Sequence, residues 1–297
     1  MIILFYNRKF KNKVSSIWML LCFVFVIIIP LALGAGLYAR STLLTHHYSL
    51  FNLLFSKIWR PENGDFGFLP FIAGSIWVTL LSLIISVPVC LFTAIYITQY
   101  SRHFFIKTIR ISIDILAGIP SVVYGVWGII AVVPFIAKIA PYFHIQTMGY
   151  SILAGAIVLS VMIIPFILNI LIEIFRTIPI ELSEASLSLG ATKWETIKHV
   201  LMRKALPGII ASIGFGLARA FGETIAVLMV VGNVVQIPKS IFDAGYPLPA
   251  LIANNYGEML SIPRYDAALM FAALILFIVV LTFNALMRLL IIRVEKY

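Results

Sequence analysis

The stretch GIIASIGFGLARAFGETIAVLMVVGN, Gly208 to Asn233, is long and apolar enough to cross a bilayer, yet it carries Arg219 and Glu223. A charge at the centre of a membrane helix costs at least ~2.5–3.5 kcal/mol. Read as one helix, positions i and i+4 share a face, so guanidinium and carboxylate can meet. Pairing lowers the cost and leaves the arginine fork oriented, with donors to spare. Counted from Gly208, Arg219 lies about 16 Å along the helix, near the middle of a core about 30 Å thick. Small residues, Gly208, Ala211, Ser212, Gly214, Gly216, Ala218, Ala220 and Gly222, let a neighbouring helix come close. Two readings follow: an ion pair that fixes helix packing, or a substrate or gating site, the default for ionisable groups inside a membrane. A guanidinium matches tetrahedral oxyanions and carboxylates. Arg219 and Glu223 are therefore candidate substrate-pathway residues, with Glu223 competing for Arg219 so that an anion is not trapped.

The rest of the chain supports a membrane setting. Of its 297 residues, 62% are hydrophobic and 11% charged; the mean hydropathy is +1.05. The alternating ten-residue segments of a β-barrel are absent from the sequence. The expected class is all-α and polytopic, with spans at Ile17–Tyr38, Phe71–Thr98, Ile115–Ile136, Ser151–Ile174, Gly208–Val231 and Ala267–Ile292. This divides the chain into a tail (1–16), a first span with an external loop (17–70), a core of five spans (71–292) holding a loop at 176–206, and a second tail (293–297). The first apolar run exceeds the usual length of a signal-peptide core, so it reads as an uncleaved anchor. Pro88, Pro120 and Pro165 fall inside spans, where each frees a backbone carbonyl that neighbours must satisfy. Cys22 and Cys90 lie in apolar segments and read as packing residues rather than as a disulfide or metal ligands.

Basic residues divide unequally between the two sides. Arg8, Lys9, Lys11, Lys13, Arg102, Lys107, Arg110, Arg176, Lys193, Lys198, Arg203, Lys204, Arg288, Arg293 and Lys296 fall on one side. Arg40, Lys57, Arg60, Lys138, Lys239 and Arg264 fall on the other. The positive-inside rule puts the first set, and both termini, in the cytoplasm. The net charge of +10 is thus a topology signal; nucleic-acid binding would need a basic face with base-reading residues.

The loop RTIPIELSEASLSLGATKWETIKHVLMRKAL (Arg176–Leu206) has the pattern of ordered structure. Pro179 suits a first helical turn, Glu181 and Glu184 suit its N-terminal side, and Gly190 suits a left-handed stop. Thr192 to Glu195 has the form of a capping box for a second helix, expected to end at Pro207. Such a hairpin could lie on lipid headgroups or dock a soluble partner.

The segment EASLSLGA (Glu184–Ala191) resembles the EAA loop of ABC-importer permeases. Glu184, Ala185, Ser186, Leu189, Gly190 and Ala191 would then couple to an ATPase groove. Ser186 replaces the family's second alanine. The family's Leu-Pro pair is expected at Met202–Arg203, whereas this chain has Leu206–Pro207. No G-x-x-x-x-G-K-[ST] loop occurs in the sequence, so ATP would be bound by another polypeptide. GIPSVVYGVWG (Gly118–Gly128), RAFGETIAVLMVVGN (Arg219–Asn233) and PLPALIANNYGEM (Pro247–Met259) together resemble the PstC-type permease of the phosphate ABC importer, from about the second span to the C-terminus.

That resemblance implies a type I (MetI-like) importer permease in a prokaryotic cytoplasmic membrane. It adds Thr224, which follows Glu223, to the candidate substrate-pathway residues. It implies a non-catalytic subunit with no cofactor of its own, ATP-Mg being held by a PstB-type ATPase dimer. A PstA-type permease and a PstS-type phosphate-binding protein would complete the assembly, with membrane lipid around it and no nucleic acid. The outer loop Pro238–Pro263, with Asp243, Asn254, Asn255 and Glu258, would be the surface that meets the binding protein. The alternatives are the sister PstA-type subunit, a sulfate or molybdate permease, and an ATP-independent secondary anion transporter, for which the EAA-like knob would have no use. An intramembrane enzyme lacks support: His46, His47, His103, His144 and His199 lie outside clear spans, and no H-E-x-x-H occurs.

Overall fold

The computed structural model describes residues 2–101, 103–257 and 263–295. In chain order the elements are α1 (Ile2–Thr45), α2 (Leu50–Phe55), the paired strands β1 (Trp59–Arg60) and β2 (Asp65–Phe66), α3 (Leu69–Ile95), α4 (His103–Gly118), α5 (Ser121–Trp127), α6 (Val133–Ile139) and α7 (Ile152–Arg176). Then come α8 (Ile180–Ser188), α9 (Lys193–Thr196), α10 (Met202–Phe221), α11 (Ile225–Leu228), α12 (Leu248–Asn255) and α13 (Pro263–Glu295). π-helical turns join α5 to α6 at Gly128–Val132 and α9 to α10 at Ile197–Leu201. Six stretches are long and apolar enough to span a membrane: Lys11–Thr45, Leu69–Tyr100, Ser121–Phe143, Ile152–Arg176, Lys193–Phe221 and Arg264–Val294.

Three of these differ by more than three residues from the sequence-based spans; the first runs Lys11–Thr45 rather than Ile17–Tyr38. The third starts at Ser121 rather than Ile115. Pro120 is extended (φ −59°, ψ 143°) and disfavours helix in the residue before it, so α4 stops at Gly118. The Tyr124 hydroxyl bridges the break by donating to the Leu116 carbonyl at 2.8 Å. The fifth begins at Lys193 and passes straight through Pro207, and it ends at Phe221 rather than Val231. Pro207 removes one hydrogen bond but does not break a helix packed against neighbours.

The core is built around α7, whose most apolar window is 67% buried; that of the first span is 0% buried. Small residues set how closely the helices meet. α7 and α10 run antiparallel, with Gly208 against Ile174 and Gly216 against Ile167. Gly214 admits the Met287 side chain of α13. A Cβ at Gly216 would lie 2.5 Å from the Ile167 side chain, which is fully buried and cannot withdraw. Gly216→Val is therefore expected to overpack this seam and destabilise the chain by about 1–3 kcal/mol. A lowered melting temperature in detergent, with no matching drop for Ala211→Val on the exposed side of the same helix, is the measurable outcome.

A second, smaller core caps one end. Trp59 sits edge-on to Phe66, Phe68, Phe71 and Tyr265 at centroid distances of 5.0–6.0 Å. There α2, the β1–β2 pair and α12 pack against the starts of α3 and α13. The opposite end carries α8 and α9.

Candidate functional site

Helix α10 ends because its next turn is taken apart. Gly222 caps it, and its N–H returns to the Ala218 carbonyl at 3.3 Å. Glu223 and Thr224 follow in a break before the short α11. Beyond α11, Gly232 and Asn233 adopt positive φ (94° and 53°) and turn the chain back onto the start of α7. Its carbonyls there satisfy α7's leading N–H groups: Val230 accepts from Ser151, Asp243 from Ile152 and Ile241 from Leu153. Irregular backbone amid spanning helices is tolerated where protein covers it and satisfies its polar groups.

The break is where the sequence's ionic pair sits. Arg219 occupies the last turn of α10, where the helix dipole favours a cation. Its Nη1 lies 3.7 Å from Oε2 of Glu223. The other carboxylate oxygen accepts the Ala226 N–H at 3.2 Å, so Glu223 also anchors the start of α11. The two partners differ in exposure: the Glu223 side chain is 5% exposed and that of Arg219 is 39%. The carboxylate is walled by Ser75, Thr79, Leu159, Val227, Pro247 and Pro249 around a cavity of about 10 Å³, room for roughly one water. The guanidinium lies over the Phe166 ring of α7, 5.3 Å from its centroid, a cation–π geometry. Thr224 is half-buried; its carbonyl accepts from Leu228 at 3.0 Å, and its hydroxyl has no hydrogen bond among the described residues.

One carboxylate is thus dehydrated and held, while one guanidinium is tethered at one edge and open along the rest. Removing Arg219 would leave a buried carboxylate with a single amide partner, a costly state. Ala211, Phe215, Arg219, Gly222 and Ile225 form the partly or fully exposed face at this end of the helix and break. Phe166, Ser75 and Thr79 carried no sequence signal as site residues; only the fold brings them to the pair.

The loop between α7 and the fifth span is ordered as its sequence suggests. The Gly190 N–H returns to Leu187 at 3.0 Å and that of Ala191 to Ser186 at 3.3 Å, with Gly190 at φ 88°. These are the paired bonds of a Schellman stop. Thr192 and Glu195 make both halves of a capping box. Ser186 and Thr196 share a hydrogen bond of 2.9 Å that ties α8 to α9. None of α8 is buried; Glu184 and Ala185 are exposed, and Leu189, just beyond it, is 89% exposed. The hairpin's capping box opens a continuous helix of 29 residues that carries Arg219 near its far end.

Much of the outer loop's polarity is spent internally. The Asp243 carboxylate accepts the N–H groups of Lys239 and Ser240 at 2.8 and 2.9 Å. Asn254 and Asn255 donate to the Tyr246 hydroxyl, and Tyr265 donates to Asn255. These groups knit the loop together. Glu258 lies outside the described residues. Both described cysteines are free thiols, and Cys90 is buried with Sγ 3.5 Å from the Ile164 carbonyl.

Comparison with known proteins identifies the family. Residues 86–296 match the family described as binding-protein-dependent transport system inner membrane component. The chain is 40% identical over 232 residues to a probable ABC transporter permease protein, YqgH, of Bacillus subtilis, covering 77% of this chain and 74% of that protein. It is 33% identical over 289 residues to the phosphate transport system permease protein PstC of Xylella fastidiosa, covering 92% and 88%. A probable PstC of Methanocaldococcus jannaschii is 30% identical over 277 residues, covering 88% of each chain. In fold it is similar to the inward-facing MetNI methionine ABC transporter (TM-score 0.56, 22% identity, 77% of this chain and 94% of that one). A bacterial alginate ABC transporter gives a TM-score of 0.56 at 13% identity, over 93% and 94% of the two chains. The chain is a multi-pass membrane protein that belongs to the family of binding-protein-dependent transport system inner membrane components.

Proposed function

We propose that the chain is the PstC-type permease subunit of an ATP-driven importer that moves inorganic phosphate across the cytoplasmic membrane by alternating access. The observation that carries this reading is Arg219, half-exposed on the open face of α10, whose other residues from Ala205 onward are uncharged, with its carboxylate partner buried behind it. The PstC relatives named above support phosphate as the anion. A guanidinium facing lipid would be costly. A second, PstA-type permease facing Ala211, Phe215 and Gly222 across a water-filled gap would enclose Arg219 in a path instead. Phosphate stripped of water there meets a planar fork of N–H donors, and Glu223 limits how tightly that fork holds it.

The chain itself hydrolyses nothing in this reading. A PstB-type ATPase pair would bind ATP-Mg and receive α8, and a PstS-type protein would deliver phosphate at the opposite end. The basic excess puts the coupling loop in the cytoplasm. The rigid part of the linkage is short: α8 is tied to α9 through Ser186 and Thr196, and α9 continues for about 43 Å of helix to the break. Displacing α8 therefore displaces the helix that carries Arg219. The test is phosphate uptake by cells or vesicles holding the whole importer, with and without this chain. Uptake that requires the chain supports the function; uptake unchanged by its removal rejects it.

A further inference from the structure

Phe166, Asn169, Glu173 and Arg176 recur along α7 at spacings of three, four and three, so they lie along one face. Each is partly or fully exposed, on the helix that the fold otherwise buries most. Phe166 carries the Arg219 guanidinium. Two turns nearer the α8–α9 end, Glu173 accepts from Arg110 of α4 at 2.8 Å and lies 3.8 Å from Arg176. At 1.5 Å per residue Phe166, which carries Arg219, and Glu173, which pairs with Arg110, are about 10 Å apart along the helix axis. Asn169 sits between them, half-buried and without a hydrogen-bond partner among the described residues.

The plain reading of Arg110, Glu173 and Arg176 is an exposed ion network pinning α4 to α7, and exposed pairs contribute little. That reading leaves Asn169 unexplained. An amide placed in a spanning helix is costly unless something pairs with it, and no protein group described here does. The network also carries one cation more than it has anions to balance. An oxyanion could replace the Glu173 carboxylate and meet two guanidinium groups.

We propose that this face of α7 is the inner half of the anion path. Asn169 donates its amide N–H to the oxyanion leaving Arg219. Arg110 and Arg176 exchange Glu173 for the anion at a second station before release. This rests on the reading of Arg219 as an oxyanion site and adds residues to that path. Two stations, each part-neutralised by a carboxylate, let an anion step between sites that hold it only moderately.

The test uses the complete importer in proteoliposomes, with both permeases, the ATPases and phosphate-loaded binding protein. Losing a hydrogen bond to a charged group corresponds to about 10–100-fold, so Asn169→Leu is expected to lower turnover at least about tenfold. The KM for loaded binding protein is expected to stay unchanged. Asn169→Gln, which keeps the donor, retains most of the rate. Asn169→Asp, close in size but negative, loses more than leucine does. Arg110→Gln with Arg176→Gln lowers turnover, and the lysine pair restores it. An assembled Asn169→Leu importer working at the normal rate overturns the path alone, as does Asn169→Gln failing as badly as leucine. A wild-type importer that takes up no phosphate overturns the function and the path together.

Discussion

Replacing Arg219 by alanine is expected to reduce phosphate uptake by the assembled importer at least about 10–100-fold, the equivalent of one charged hydrogen-bond set. Copurification of the partner permease and ATPases checks assembly, because Arg219→Ala alone leaves the buried Glu223 carboxylate without its cation. Lysine should recover part of the rate, since it keeps the charge but not the planar fork. The decisive variant is the double one. If Arg219 serves only to neutralise Glu223, then Arg219→Ala with Glu223→Gln removes both charges and restores uptake. If the guanidinium greets the anion, the double variant stays inactive. Glu223→Gln alone should then alter both affinity and rate, because the carboxylate 3.7 Å from the guanidinium no longer competes for it. Normal uptake in that variant would remove Glu223 from the path.

Gly190→Val is expected to uncouple the importer: ATP hydrolysis by the assembled complex persists, while uptake falls about tenfold or more. Nothing lies within 4 Å of a Cβ at this position, so no clash is involved. The effect comes from φ 88°, a conformation strongly disfavoured for a β-branched residue. A strained residue there costs of order 1–3 kcal/mol, enough to open the stop and displace the exposed Leu189 and the half-buried Ala191. Gly190→Asn is the matched control, because asparagine enters the left-handed region more readily. Near-normal uptake with asparagine and loss with valine assigns the effect to the backbone turn. Equal loss in both would assign it to the side chain's presence at a docking surface.

The parts of the fold legible in the sequence are those governed by local chemistry. Thr192 and Glu195 announce a capping box, and Gly190 announces a stop, because both are decided within a few residues. Long apolar runs announce spans. Pro120 was visible, but not that it would end α4 outright, because that depends on how the chain after it turns. Pro207 looked like a boundary and is not one. The largest difference is the end of α10. The run after Gly222 is apolar and helix-compatible, so its break is invisible locally. It is imposed by Glu223 turning inward to the Ala226 N–H and by Val230 and Val231 packing into the buried core. The i,i+4 pairing of Arg219 with Glu223 was legible despite this. Its asymmetry was not: Phe166 and the Ser75–Thr79 wall come from helices far away in the chain.

The exposed face of α10 is expected to line a water-filled path rather than lipid. Phe215 lies on that face, one turn from Arg219, and is 51% exposed. Ile84 of α3 is 67% exposed on a different helix and serves as the comparison. With Cys22 and Cys90 replaced, single cysteines at these two positions can be treated with a small, anionic, membrane-impermeant thiol reagent in the assembled importer. The expected result is rapid labelling at position 215, slowed by phosphate, and none at position 84. Labelling absent from both positions, or unaffected by phosphate at 215, would contradict the claim.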